Sequence, residues 1–118
     1  MIPILYVDDD PDIREVAALA LALDPEFEVR TASSGEEALV IVQDWRPALI
    51  LLDVMMPGLD GPKVLLQLRQ AEATSTIPVA FVTARFQPSE LHSTLDARGV
   101  IAKPFDPITL ASKVRNFL

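Results

Sequence analysis

The sequence predicts an open, doubly wound α/β sheet, and three observations carry that reading. Five short apolar runs recur along the chain: "ILYV" at 4–7, "FEVRTA" at 27–32, "ALILLDV" at 48–54, "VAFVT" at 79–83 and "GVIA" at 99–102. Most are continuous rather than alternating, the pattern of strands covered on both faces in a parallel sheet. Between them lie segments with helical spacing and a start signal, so strand and helix alternate five times along the chain. Strict alternation with short connections implies right-handed crossovers and helices on the sheet faces.

The elements follow in order. The first strand runs into the acids of "LYVDDDPD" (5–12). Asp10 and Pro11 have the form of an N-cap and a first helical residue, for a helix burying Ile13, Val16, Ala17 and Ala20 that "DP" at 24–25 closes. After the second strand, Ser33 with Glu36, or Ser34 with Glu37, offers a capping box for a helix over Ala38, Leu39 and Val42. Trp45 reads as packing at the end of that helix. The third strand ends in Asp53, and "DGP" at 60–62 opens a helix with Val64, Leu65 and Leu68 on its apolar face. The fourth strand ends in Thr83. Ser89 then caps a short helix to Ala97 whose strong apolar anchors are Leu91 and Leu95, which places it among the least stable elements. His92 reads as a surface residue of that helix. The fifth strand leads into Lys103, and Asp106 with Pro107 begins a last helix on Leu110, Ala111, Val114 and Phe117. Nine of the ten prolines fall near element boundaries, and Pro3 starts the first strand, where it is tolerated.

Composition narrows the function. With 118 residues and 50% hydrophobic content, the chain is expected to form one domain over 1–118. Ten Lys and Arg against seventeen Asp and Glu give a net charge of −7, which disfavours nucleic acid or an anionic membrane as a partner of the domain itself. There is no cysteine, which removes disulfides, thiolate zinc sites and thiol nucleophiles and fits a reducing compartment. A Ser-His-Asp triad would have to use His92, far in sequence from the acids. No apolar run approaches the ~20 residues that span a bilayer, and no basic region precedes an apolar stretch at the N-terminus. A cytoplasmic location is expected.

In open α/β sheets the ligand site lies outside the carboxyl ends of the strands, where strand order reverses. Applied here, that rule gathers Asp8, Asp9 and Asp10, then Asp53, Thr83 and Lys103, on one edge. Adjacent like charges about 4 Å apart cost about 4 kcal/mol at an effective dielectric of about 20, so a cation is expected among these acids. Hard carboxylate oxygens suit Mg²⁺ or Mn²⁺. A carboxylate can also accept a phosphoryl group, with a metal and a lysine neutralising charge on the group in transfer. Asp8, Asp10 and Asp12 have the D-x-D-x-D start of a calcium loop, but Ile13 stands where that loop needs Gly and Leu19 where it needs Glu. The calcium reading fails.

"VDDD" at 7–10, "LLDVMMPGLDG" at 51–61, "TA" at 83–84 and "KPF" at 103–105 together resemble the receiver domain of two-component response regulators. The match covers essentially the whole chain in the right order. Asp53 lies 44 residues after Asp9 and Thr83 lies 30 after Asp53, as in that family. The resemblance implies a five-stranded parallel sheet of order 2-1-3-4-5 with five helices, the CheY-like arrangement of the flavodoxin-like class. It implies a phosphorylation-activated signalling switch that is not an enzyme on a separate substrate. Asp53 would accept a phosphoryl group from a phosphohistidine of a histidine kinase or histidine phosphotransfer protein. Asp8 and Asp9 would hold Mg²⁺ (or Mn²⁺) with Asp53 and the backbone carbonyl of Met55. Thr83 would hydrogen-bond the phosphoryl group and Lys103 would pair with it, the Lys103–Pro104 bond being cis. An output protein would dock on the face of the fourth helix, fifth strand and fifth helix, and the chain would be a monomer or weak homodimer.

Other roles fall to the neighbours. Asp10 lies one residue beyond the family pair and reads as a helix cap; Asp60 fits a loop-and-cap role, and Met55 and Met56 read as gap-fillers. Many receivers carry Tyr or Phe three residues before the lysine, where this chain has Val100, and the connection from Thr83 to Lys103 is about two residues shorter than usual for the family. Transmission is therefore expected through the Thr83 loop, with Arg85 and Phe86, into the weakly held helix from Ser89 to Ala97. An aspartyl-phosphate hydrolase would place its nucleophile on strand one in a D-x-D pattern and need room for a substrate cap. A degenerate receiver acting only by binding is disfavoured because the acceptor-site residues are all present. With the last helix ending at Leu118, the chain is expected to be a stand-alone receiver or one cut from a larger protein.

Overall fold

A computed structural model describes residues 1–84 and 97–118. Five parallel strands, β1 (Ile2–Val7), β2 (Phe27–Ala32), β3 (Leu49–Asp53), β4 (Val79–Thr83) and β5 (Gly99–Ala102), form one sheet of order β2-β1-β3-β4-β5. Among the described residues four α-helices accompany it: α1 (Pro11–Leu21), α2 (Gly35–Asp44), α3 (Gly61–Gln70) and α4 (Leu110–Arg115). The helix expected from Ser89, with Leu91, His92 and Leu95, and the route through Arg85 and Phe86 lie outside the described residues.

The strands are where the apolar runs place them because both sheet faces are covered. Alternate residues divide between two cores, Ile4, Tyr6, Leu49, Leu51, Ala80, Val82 and Ile101 packing with α1 and α4. Leu5, Val7, Ile50, Leu52, Val79 and Phe81 pack with α2 and α3 on the other face. Every residue of β3 and β4 is buried, so continuous rather than alternating hydrophobicity is their signature.

The helix starts follow from their caps. Asp10 accepts from the N–H groups of Asp12 and Ile13, and Pro11 takes the first helical position. Ser34, not Ser33, caps α2: its hydroxyl accepts from Glu37 N–H while the Glu37 carboxylate accepts from Ser33 N–H. Asp60 caps α3 through Lys63 N–H at 3.0 Å. The last helix begins later than the sequence suggests. Asp106 accepts from Ile108 N–H in a separate turn, and α4 starts only at Leu110 with Thr109 before it. Val16, expected on the buried face of α1, lies outward, and Ala17, Ala20 and Leu21 carry that face. Trp45 packs at the end of α2 as expected, with the Arg30 guanidinium 4.5 Å over its ring. Met56 fills the core, whereas Met55 is 66% exposed and fills nothing.

Candidate functional site

The order β2-β1-β3 makes β1 and β3 neighbours across the switch point, and the register carries their ends to one level. Val7 pairs with Leu52, Asp53 with Val82, and Thr83 with Ala102. Lys103 N–H then donates to the Thr83 carbonyl at 3.0 Å, holding the last strand end in line. Along each strand the side chains alternate, so Asp8, Asp53 and Lys103 continue the rows of Tyr6, Leu51 and Ile101 on the α1 and α4 face. The register alone therefore delivers two acids and a lysine to one point.

The contacts agree with that placement. Lys103 Nζ lies 2.8 Å from Asp8 Oδ2 and 3.2 Å from Asp53 Oδ2. Asp8 is fully buried, and its other oxygen accepts from Asp10 N–H at 3.0 Å. Asp53 Oδ1 accepts from Met55 N–H at 3.3 Å. Asp9 is exposed beside them, and ligand atoms of Asp8, Asp9 and Asp53 lie within 4.8 Å of one another. Thr83 and Met55 line a cleft of about 270 Å³ with Asp53, Ala84 and Lys103. The structure thus brings together Asp8, Asp9, Asp53, Met55, Thr83 and Lys103. The peptide bond between Lys103 and Pro104 is cis.

Two residues at the site escape the sequence reading. The Tyr6 hydroxyl donates to Asp8 Oδ2 at 3.0 Å, and Arg14 Nη1 donates to the Asp8 carbonyl at 2.9 Å. Tyr6 reads in sequence as one apolar strand residue among others. Its place two residues before Asp8, on the same strand face, was the available signal.

Electrostatics mark the same atoms. Burial and then the Asp8 charge push the Asp53 carboxyl up to about 6, against the pull of Lys103. Burial works against the Lys103 ammonium, but Asp8 and Asp53 together outweigh it and raise its pKa. Burial, reinforced by Asp8, holds the Tyr6 hydroxyl well above its usual range, so it stays a donor.

A divalent cation fits this donor set. Three carboxylates face one directly paired ammonium among the described residues, and the two remaining negative charges match one such ion. Carboxylate oxygens from the ends of two adjacent strands, that of Asp9 exposed, suit Mg²⁺, which keeps part of its water shell.

Comparison with known proteins gives the same class. The model of the response regulator receiver domain matches residues 4–115. The chain belongs to the response regulator receiver domain family, the signalling domain of two-component systems. It is 37% identical to "Response regulator Rre1" of Synechocystis over 99% of this chain and 52% of the relative. Among solved structures, chemotaxis protein CheY4 of Vibrio cholerae superposes with a TM-score of 0.88 at 31% identity, covering 100% of this chain and 99% of that one. The "DNA-binding response regulator MtrA" of Mycolicibacterium smegmatis is 36% identical over 95% of this chain and 48% of its own length. The chain spans about half the length of the curated relatives it matches. Its expected lack of a nucleic-acid partner, read from net charge, finds no support among relatives that include a DNA-binding regulator.

Proposed function

We propose that this chain is a phosphorylation-activated switch in which Asp53 accepts a phosphoryl group from a phosphohistidine of a histidine kinase or histidine phosphotransfer protein. The observation that carries this reading is the position of Asp53, at the end of a central strand, 3.2 Å from Lys103 and in one cleft with Thr83.

An Asp53 oxygen attacks phosphorus, the bond from phosphorus to the donor imidazole nitrogen breaks, and that nitrogen keeps the bonding pair. Lys103, already beside Asp53, stays within reach of the negative charge that accumulates. Thr83 offers a hydroxyl from the neighbouring strand end. Asp8, Asp9, Asp53 and the Met55 carbonyl would hold Mg²⁺ (or Mn²⁺), which when bound neutralises charge on the phosphoryl oxygens. Asp8 keeps Lys103 aligned by sharing it with Asp53. The chain's chemistry is confined to gaining and losing its own phosphoryl group, which fits a cytoplasmic signalling role rather than turnover of a separate substrate.

Intact-mass spectrometry after incubation with acetyl phosphate and Mg²⁺ tests this. One added HPO₃ group is expected, absent without metal and absent in Asp53→Asn. An adduct at full yield in Asp53→Asn would move the acceptor elsewhere.

A further inference from the structure

Tyr6 belongs to the core by position and to the site by its hydroxyl. Its ring is fully buried on the α1 and α4 face and meets Phe105 edge-on, with centroids 6.4 Å apart and planes at 71°. Its hydroxyl reaches the fully buried Asp8 at Oδ2, the same oxygen that Lys103 contacts at 2.8 Å. Oδ1 is fixed from the other side by Asp10 N–H at 3.0 Å. Asp8 is therefore held by three donors, two at Oδ2 and one at Oδ1, one of which is a side chain that packing alone would not require to be tyrosine.

We propose that Tyr6 is a positioning residue of the phosphoryl-transfer site, whose hydroxyl fixes the Asp8 carboxylate for the divalent cation and keeps Lys103 from monopolising Oδ2. This rests on the metal and acceptor reading above. The physical reason is that a carboxylate ligand is effective only if its rotation is restrained, and partners behind such ligands typically change metal affinity by 10- to 100-fold when removed. Without the hydroxyl, Oδ2 faces one donor, the Lys103 ammonium, and only the Asp10 N–H bond at Oδ1 restrains the carboxylate from turning further toward it. The cation must then compete with that ammonium for a ligand no longer aimed at it. Because Asp10 N–H and Lys103 remain, the loss belongs near the lower end, about tenfold.

Tyr6→Phe is the direct test, since it keeps the ring against Phe105 and deletes only the donor. Mg²⁺ titrations followed by amide chemical shifts give the dissociation constant, and thermal unfolding in EDTA reports the fold separately. The expected result is a dissociation constant raised about tenfold. A purely structural role would lower the melting temperature in EDTA and leave the Mg²⁺ constant unchanged, and that outcome overturns the proposal, as does tighter binding.

Tyr6 is the only tyrosine of the chain, so biosynthetic 3-fluorotyrosine labels it alone while keeping the hydroxyl. The labelled protein should bind Mg²⁺ as tightly as wild type, with its fluorine resonance moving in step with the amide shifts of Asp8 and Asp53. A fluorine signal silent to Mg²⁺ would overturn the proposal even if Tyr6→Phe failed to fold. If wild type itself shows no Mg²⁺ response, the metal reading falls and this inference falls with it. If wild type and Tyr6→Phe respond alike, only the role of Tyr6 is lost.

Discussion

A carboxylate set half out of water within a cluster of like charges is held there at an energetic cost, and Asp53 carries it. Burial and Asp8 hold its carboxyl at about 6 in the folded chain, against about 3.9 for an ordinary aspartate. Between these values the folded state binds more protons than the unfolded one, so stability falls as pH rises from about 4 to about 6 and stays lower above. Carrying that charge at neutral pH costs on the order of 2–3 kcal/mol. Asp53→Asn should therefore be more stable than wild type at pH 7 in EDTA by that order, with the gain shrinking toward zero near pH 4. Lys103 keeps Asp8 as partner in that variant, so no new unpaired charge offsets the gain. Urea unfolding at the two pH values measures it, and equal stability at pH 7 would show that Asp53 is not under strain. The place of Asp53 in the cluster was legible in sequence because it ends an unbroken apolar run. Tyr6 was not, because a single hydroxyl in a buried strand is invisible until the register aims it at Asp8.

At the scale of elements, the junction between β3 and α3 is built on close approach. A Cβ on Gly61 would lie 2.5 Å from the Asp53 carbonyl oxygen and 3.0 Å from Val54 Cα, both backbone atoms that cannot swing aside. Gly58, at a φ of 74°, makes the preceding turn in the left-handed region. Gly61→Ala should consequently destabilise the fold by about 1–3 kcal/mol and shift the amide resonances of residues 53–55. Unchanged shifts there would mean that the helix moves instead of the end of β3. The other end of the chain is tied differently: Arg115 of α4 pairs with Asp24 and Glu26 and stacks over the Phe27 ring. The Arg115 hydrogen bonds hold Asp24 below the usual carboxylate range. A carboxyl depressed in the folded state contributes stability above its unfolded pKa and loses it as pH falls through the folded one. The melting-temperature deficit of Arg115→Met should thus be largest at pH 7, shrink with added salt, and fall in strong acid to what losing the Phe27 contact leaves. Strands, caps and the inward faces of α2 and α3 were readable because each signal is local. The start of α4 was not, since Asp106 and Pro107 form a turn whose chemistry resembles a cap, and only the packing of Leu110, Ala111 and Val114 decides where the helix begins.

For the whole molecule, the sheet is what joins acids from two distant stretches of the chain into one site. Asp8 and Asp9 are separated from Asp53 by more than a third of the chain in sequence, yet the pairing of Val7 with Leu52 sets them side by side. An unfolded chain holds no such cluster, so a cation that binds it binds the native state alone. At 100 times its dissociation constant, Mg²⁺ should then add about 2.7 kcal/mol of stability. For a domain of this size that is a rise in melting temperature on the order of 10 °C. The effect has to be separated from general screening of a chain with net charge −7. NaCl at matched ionic strength supplies that control, because screening depends on ionic strength whereas coordination depends on the ion. Asp9→Ala separates the two further. Asp9 is exposed, so its removal should leave the metal-free fold nearly unchanged while abolishing most of the Mg²⁺ response. A melting temperature that rises equally with NaCl would show that Lys103 alone balances these acids and that the sheet edge holds no metal, whereas an Asp9→Ala variant with the full Mg²⁺ increment would take Asp9 out of the ligand set.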